Sequence, residues 1–342
     1  MTKLSDLGEF ELIAHLRARL GKPGRGVVVG IGDDTAVLKS PRDQWLLFTT
    51  DTLVEQVHFR LDWTTPKDLG WKAMAQNVSD IAAMGGTPRY ATISLAAADD
   101  QQVATVERLY AGLAECARAY QVDIVGGDTV RSPGPMVITV ALMGQVKREH
   151  LVTRSGAQAG DAILVTHELG AAAVGLLLLE HGNNPPAELA NAVKAQHRPV
   201  PRLEEARVLA KSGLVSSMID LSDGLGSDLR RICEESRVGA RVEWERVPVS
   251  PLVERSLAHL RIERSPIELA ITGGEDFALL LTTQPGNIER LQALLAYTLP
   301  TCLTVIGSIT SEQEGVMAVK KDGTAQPLAK GYTHFRREKV QP

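Results

Sequence analysis

The stretch that most constrains this chain is Trp71-Lys72-Ala73-Met74-Ala75-Gln76-Asn77-Val78-Ser79-Asp80-Ile81-Ala82-Ala83-Met84-Gly85-Gly86. Its Ala and Met content favours a helix, and Gly85-Gly86-Thr87-Pro88 ends that helix sharply. One carboxylate, Asp80, stands inside the apolar run. A charge on a buried helix face is costly unless it is paired or binds a cation. A lone Asp more often sits on a solvated face, so the reading depends on the company Asp80 keeps.

That company recurs along the chain. Val27-Val28-Val29 is a β-branched run leading into Gly30-Ile31-Gly32-Asp33-Asp34, and Trp45 to Thr50 reads as a strand ending in Asp51-Thr52. Val122 to Val125 ends in Gly126-Gly127-Asp128-Thr129, and Val215 to Ile219 runs into Asp220-Leu221-Ser222-Asp223-Gly224. With Ser79-Asp80, five segments carry the same mark. Side chains at strand ends project from a rigid frame, and glycine beside Asp lets backbone approach a ligand closely. Each Gly-Asp turn alone is usually a plain turn; five in one chain point to a shared site. Carboxylates that converge repel one another unless cations sit between them. An oxygen-only donor set without His or Cys selects magnesium over zinc. Magnesium typically shares itself with substrate phosphates, so the implied ligand is a polyphosphate.

Other phosphate sites are excluded. No GxxxxGK[ST] occurs, and the kinase HRD and DFG motifs are absent. Gly30-Ile31-Gly32-Asp33-Asp34-Thr35 nearly matches a dinucleotide loop, but its two carboxylates would repel a bare pyrophosphate.

The remaining pattern sets the architecture. Leu12, Ile13, Leu16 and Leu20 share a helical face that Gly21-Lys22-Pro23-Gly24 stops; Tyr90 to Leu95 alternates like a strand. Val103 to Tyr120 reads as a long helix with Val106, Leu109, Leu113, Ala114 and Ala117 on one stripe. Met136 to Met143 and Asp161 to Thr166 read as strands, Ala171 to Glu180 as a helix, Ile288 to Tyr297 as another, and Thr304 to Gly307 as a strand. A composition shift near Lys147-Arg148-Glu149-His150 divides the chain into residues 1–148 and 149–342. The mixture predicts a mixed α/β (α+β) fold of two domains rather than a doubly wound sheet.

Composition agrees. Hydrophobic residues make up 44% of the 342, enough for a substantial core, but aromatics only 4%, so that core is aliphatic. The net charge is -4 with no basic cluster, against nucleic acid as the main partner. Cys116, Cys233 and Cys302 are far apart and read as buried free thiols of a reducing compartment. The longest apolar segment, Leu169 to Leu179, is too short to cross a bilayer, and the expected location is the cytoplasm. Plain packing roles suit His58, Tyr110 and Tyr332, and Arg154 is a linker charge or a phosphate grip.

The motifs together resemble a known family. Gly8-Glu9-Phe10-Glu11-Leu12-Ile13, Gly32-Asp33-Asp34, Thr50-Asp51-Thr52 with His58-Phe59, the Asn77 to Gly86 stretch, Gly126-Gly127-Asp128-Thr129, Asp220 to Leu225 and Gly273-Gly274-Glu275-Asp276 resemble the thiamine-monophosphate kinases. These belong to the superfamily of aminoimidazole ribonucleotide synthase and selenophosphate synthetase. The resemblance implies a homodimer built through the N-terminal domains and ATP-dependent conversion of thiamine monophosphate to thiamine diphosphate. It implies magnesium ligands at Asp33, Thr49, Thr50, Asp51, Asp80, Asp128, Asp220 and Asp223. It implies ATP contacts at Tyr110, Gly127, Asp128, Arg154 and Ser222, and thiamine-phosphate contacts at His58, Glu275 and Tyr332. The family often has Tyr-Glu-Leu where this chain has Phe277-Ala278-Leu279. No reactive Cys lies in a Gly-rich N-terminal segment, against selenophosphate synthesis. An ATP-using synthetase that activates an amide or carbonyl oxygen, and a magnesium-nucleotide sensor, are the alternatives. No residue pair reads as a general base, and an ionised phosphate acceptor needs none.

Overall fold

The computed structural model describes residues 13, 25–30, 32–40, 43–182, 185–299 and 301–334. The expected helix over Leu12 to Leu20 lies outside these, apart from Ile13. The first half builds a six-stranded sheet in the order β1-β2-β3-β6-β4-β5. Its strands are β1 (Val27–Val29), β2 (Ala36–Lys39), β3 (Gln44–Val54), β4 (Thr87–Ala97), β5 (Asp123–Arg131) and β6 (Val137–Lys147). Only β4 and β5 pair in parallel, and a helix, α2 (Val103–Ala119), makes the crossover between them.

Between β3 and β4 lies α1 (Pro66–Ala83). Thr65 caps it, its Oγ1 accepting from Asp68 N at 3.1 Å and donating to Asp68 Oδ2 at 2.7 Å. Pro66 then occupies the first turn, where its missing N–H costs nothing. At the other end Gly85 turns left-handed, φ 70°, and an added Cβ there would lie 2.6 Å from both Ala210 Cβ and His150 O. The helix is buried along most of its length. It lies against β3 and β6 on one side and α2 on another, and the second half of the chain covers much of the rest.

That second half forms a seven-stranded sheet, β13-β12-β9-β11-β7-β10-β8. Its strands are β7 (Ala162–Thr166), β8 (Ser217–Asp220), β9 (Gly239–Glu243), β10 (Leu279–Thr283), β11 (Leu303–Thr310), β12 (Val316–Val319) and β13 (Ala325–Pro327). Its helices are α3 (Ala171–Glu180), α4 (Ala190–His197), α5 (Leu203–Ser212), α6 (Leu225–Ser236), α7 (Pro251–Leu260), α8 (Pro266–Thr272) and α9 (Ile288–Thr298). Ala82 of α1 belongs to one apolar cluster with Val152, Leu164, Leu203 and Ala206, so the two halves meet through a shared core. Burial of apolar surface across that seam, about 25 cal/mol per Å2, holds them together.

Two strands run further than their sequence suggests. β3 continues through Asp51 to Val54, because all eleven of its residues pair with β6. β5 continues through Gly126-Gly127-Asp128 to Arg131 alongside β4. Glycine at 127 allows this: a Cβ there would stand 1.9 Å from Ile93 O. Cys116 and Cys233 are buried free thiols as expected, whereas Cys302 is exposed. Among the described residues no helix is long and apolar enough to cross a membrane.

Candidate active site

The site is built where α1 crosses β8 at the seam between the halves. Ser79 and Asp80 sit two turns or less from the end of α1, and Asp220 is the last residue of β8. Ser79 Oγ donates to Asp220 Oδ2 at 2.6 Å, a bond between residues 141 apart in sequence. Thr49 Oγ1, on the inner face of β3, donates to Asp80 Oδ2 at 2.5 Å. Carboxylate oxygens of Asp34, Asp80 and Asp220 all lie within 4.8 Å of one another.

The electrostatics follow from that crowding. Burial, then the charges of Asp51 and Asp220, raises the pKa of Asp80 well above the usual carboxylate range. Asp220 is raised in the same way, by burial and then by Asp34. Asp51 is pushed up to about 6, by burial first and then by Asp223 and Asp34. Asp33 reaches about 7 through burial and Asp34, with Arg154 opposing. The one strong counter-charge shown is Arg154. Its guanidinium grips Asp34 in a fork, Nη2 to Oδ1 at 2.7 Å and Nε to Oδ2 at 3.1 Å. Burial works against its charge, but Asp34, Asp33 and Asp220 outweigh burial and hold its pKa above the ordinary range. Its backbone N–H donates to Asp33 Oδ2 at 3.1 Å. Asp33 therefore braces the linker while its neighbour Asp34 enters the cluster.

The structure does not bring every expected ligand together. Along β3, Thr49 and Asp51 face inward, whereas Thr50 lies on the exposed face and donates to Val140 O at 3.1 Å. Asp128 is exposed on the edge strand β5, beside Gly127. It pairs with Ser94, in the row that continues through Thr139 to Thr52. Tyr110 packs half-buried against the first core. Asp223 and Ser222 sit in the turn after β8, and that turn is braced from two sides. Asp223 N donates to Asp228 Oδ2 at 3.1 Å, and Ser222 O accepts from Glu275 N at 2.8 Å. Asp228, in the first turn of α6, is buried; burial, Asp223 and Asp220 raise its pKa well above the usual range.

The residues expected near the acceptor form a second group. Tyr332 N donates to Asp223 O at 2.9 Å, which ties the tail to the acidic turn. Tyr332 Oη lies 3.2 Å from His334 Nδ1, and His334 Nε2 lies 3.3 Å from His58 Nε2. Val54 N donates to His58 Nδ1 at 3.0 Å. That bond leaves the proton on His58 Nε2, to donate to His334. Burial first, then His334, lowers the His58 pKa, consistent with a neutral ring. Glu275 takes φ 67° and Phe277 φ 48° in a tight loop after α8. Such conformations are sparsely populated for residues other than glycine and concentrate at ligand sites. Glu275 Oε1 lies 2.6 Å from Lys72 Nζ of α1.

Sequence reasoning passed over Asp34, Asp228, Lys72 and His334. Asp34 adjoins Asp33 in the same motif, and nothing local says which of the two turns inward. Asp228 carried a usable signal, an Asp in the first turn of a helix that opens on an acidic Asp-Gly turn.

The fold and site define a class. Residues 32–146 match the N-terminal domain of AIR synthase related proteins, and residues 158–320 match their C-terminal domain. Thiamine-monophosphate kinase of Bacillus subtilis is 35% identical over 96% of this chain and 100% of its own length. That of Escherichia coli K12 is 38% identical over 96% of this chain and 98% of its own. A solved structure of AaThiL complexed with AMPPCP and TMP superposes with a TM-score of 0.84 at 33% identity, covering 98% of this chain and 99% of that one. The chain belongs to the thiamine-monophosphate kinase family.

Proposed function

We propose that this chain transfers the γ-phosphoryl group of ATP directly to the phosphate of thiamine monophosphate, giving thiamine diphosphate. The observation that carries the reading is the Asp34, Asp80 and Asp220 cluster, whose oxygens converge within 4.8 Å. Three carboxylates so placed, with only Arg154 shown in close contact, fit a hard divalent cation, and an all-oxygen donor set suits magnesium. Asp34, Asp80, Asp220, Thr49, Asp51 and Asp223 would hold it, with Asp33, Thr50 and Asp128 of the expected set standing further out. Bound there, magnesium supplies neutralising charge for the phosphates.

The chain's own residues do the rest by placement. Arg154 offers a planar fork suited to phosphate oxygens once Asp34 turns to a cation. Tyr110, Gly127 and Ser222 belong to the ATP side, and Gly127 removes a side chain where β5 passes β4. His58, Glu275 and Tyr332 take the heteroaromatic end of the acceptor. The acceptor oxygen is already ionised near neutral pH, its second pKa being about 6. No side chain has to remove a proton, and no residue is assigned as a catalytic base. Catalysis comes from alignment and from charge held in a dry seam.

Two organisational readings accompany this. Residues 1–148 form the ATP and magnesium domain and residues 149–342 complete the site. The N-terminal sheet pairs with that of a second copy: Phe48, Met143 and Tyr90 lie in one row across β3, β6 and β4. Phe48 and Tyr90 on that outer face are each 47% exposed. Sedimentation at micromolar concentration gives a dimer on this reading and a monomer if it is wrong. The compartment is the cytoplasm, where Cys302 stays reduced.

The deciding experiment supplies γ-labelled ATP, magnesium and thiamine monophosphate. Label should appear in the terminal phosphate of thiamine diphosphate, with inversion at phosphorus. Label on the protein in a competent intermediate, or net retention, overturns direct transfer; no label in thiamine diphosphate overturns the substrate assignment.

A further inference from the structure

Lys72 is an unusual residue to find inside this molecule. Its side chain is 6% exposed, whereas that of its partner Glu275 is 26% exposed. The ammonium therefore stands behind the carboxylate, and Glu275 presents its outer side to the seam. An ammonium is seldom buried unless it is paired, and this pair joins α1 of the first half to the loop after α8 of the second. Along α1, Lys72 lies eight residues before Asp80, about 12 Å of helix at 1.5 Å per residue. The row between them carries Gln76, one turn from each. Gln76 Oε1 is buried and has no hydrogen-bond partner among the described residues.

A third segment reaches the same place. Arg198, just after α4, bonds Asp68 of α1 through Nη1 at 3.0 Å and also bonds Glu115 of α2. Its guanidinium lies 4.3 Å over the Trp71 ring, and Trp71 Nε1 donates to Pro199 O at 2.8 Å. This clamp fixes the end of α4 against α1 and sets His197 within the electrostatic reach of Lys72 and Glu275. Burial, foremost, lowers the His197 pKa, so the ring is favoured in its neutral form. His197 Nε2 is buried without a partner among the described residues, while the ring also bonds the Trp63 backbone. With Nε2 unpaired, that bond falls to Nδ1 as donor, which leaves Nε2 an acceptor with no donor. Buried polar atoms of this kind are few in folded proteins and call for an explanation.

We propose that His197 is a further acceptor-binding residue and Lys72 the positioning residue behind Glu275: His197 Nε2 accepts a hydrogen bond from an amino-bearing nitrogen heteroaromatic, while Lys72 holds the Glu275 carboxylate ionised and aimed at the same group. This rests on the reading that the acceptor is thiamine monophosphate, whose aminopyrimidine is such a group. The Lys72 to Asp80 spacing then matches the acceptor's length, with its ring at one end and its phosphate at the acidic end.

The test combines steady-state kinetics with calorimetric binding of thiamine monophosphate in the presence of AMPPCP and magnesium. His197→Phe should weaken acceptor binding about tenfold, the value of one hydrogen bond near 1.4 kcal/mol, with ATP KM and thermal midpoint unchanged. Lys72→Met should raise acceptor KM more than it lowers kcat, and Lys72→Arg should recover part of the loss. Lys72→Met combined with Glu275→Gln leaves no unpaired charge in the seam and should be no worse than Glu275→Gln alone. Unchanged acceptor affinity in His197→Phe, equal losses toward ATP and acceptor, or additive effects of Lys72→Met and Glu275→Gln would overturn the assignment. Wild-type protein that neither binds nor phosphorylates thiamine monophosphate would instead overturn the substrate reading on which it rests.

Discussion

The two ends of the seam solve the problem of buried polarity in opposite ways. At one end Asp34, Asp80 and Asp220 converge with Asp33, Asp51 and Asp228 nearby, and Arg154 is the strong counter-charge that the contacts show. At the other end Lys72 matches Glu275, and His58 with His197 is held toward neutrality by burial. The first end is frustrated until cations arrive. The second is charge-balanced and shaped beforehand. A chain that must bring two polyanions together benefits from this division: mobile charge where phosphates meet, fixed groups where an organic ring is recognised.

The comparison breaks most visibly at the acidic end. Asp80→Asn or Asp220→Asn should lower kcat on the order of a thousandfold, since several kcal/mol of charge stabilisation would be lost. Without magnesium, the same variants should melt a few degrees above wild type, because like-charge repulsion is relieved. Calorimetry and a turnover assay run on the same preparations check both; near-wild-type turnover would mean that the carboxylates do not act as a unit.

Arg154→Lys tests the counter-charge. A point ammonium cannot reproduce the fork to Asp34, so ATP KM should rise on the order of tenfold to a hundredfold, with acceptor KM moving far less. Equal shifts for both substrates would show that Arg154 serves the whole seam.

The smallest effect sharpens the contrast through pH. Asp33 is raised from 3.8 to about 7 and Asp51 from 3.8 to about 6. Carboxylates raised in the folded state contribute stability that is full below pH 3.8 and is lost as pH rises through about 7. His58 and His197 are lowered from 6.5, so their contribution is full above that value and is lost as pH falls below it. Magnesium-free protein should therefore lose thermal stability between about pH 4 and pH 7 through its acidic end. Saturating magnesium should remove that loss and uncover the shallower histidine effect of opposite sign. Melting curves across pH with and without magnesium measure it; parallel curves would mean that the two ends are not distinct.

Much of the molecule was legible in its sequence. The Gly-Asp turns, the helix carrying Asp80 and the two-domain mixed architecture follow from periodicity and punctuation, which act over a few residues. The β3 and β5 strands outran their turn signals because pairing with a neighbouring strand outweighs the local preference of Asp, Gly and Thr. Legibility of the site was uneven for the same reason. Thr49 and Thr50 look alike in sequence, yet alternation along a strand puts them on opposite faces.

The sequence by itself determined which groups could carry chemistry: carboxylates at rigid turns, no zinc ligands, no nucleotide loop of another kind. Only the tertiary structure decided which of them meet. Asp34 rather than Asp33 joins Asp80 and Asp220, since Asp33 is turned to the Arg154 backbone. Lys72 becomes a buried partner of Glu275, and His197 is brought beside them by the Arg198 clamp. Each of these contacts joins segments more than a hundred residues apart. Local pattern fixes a side chain's direction relative to its own helix or strand, but where that direction leads depends on how the two halves pack.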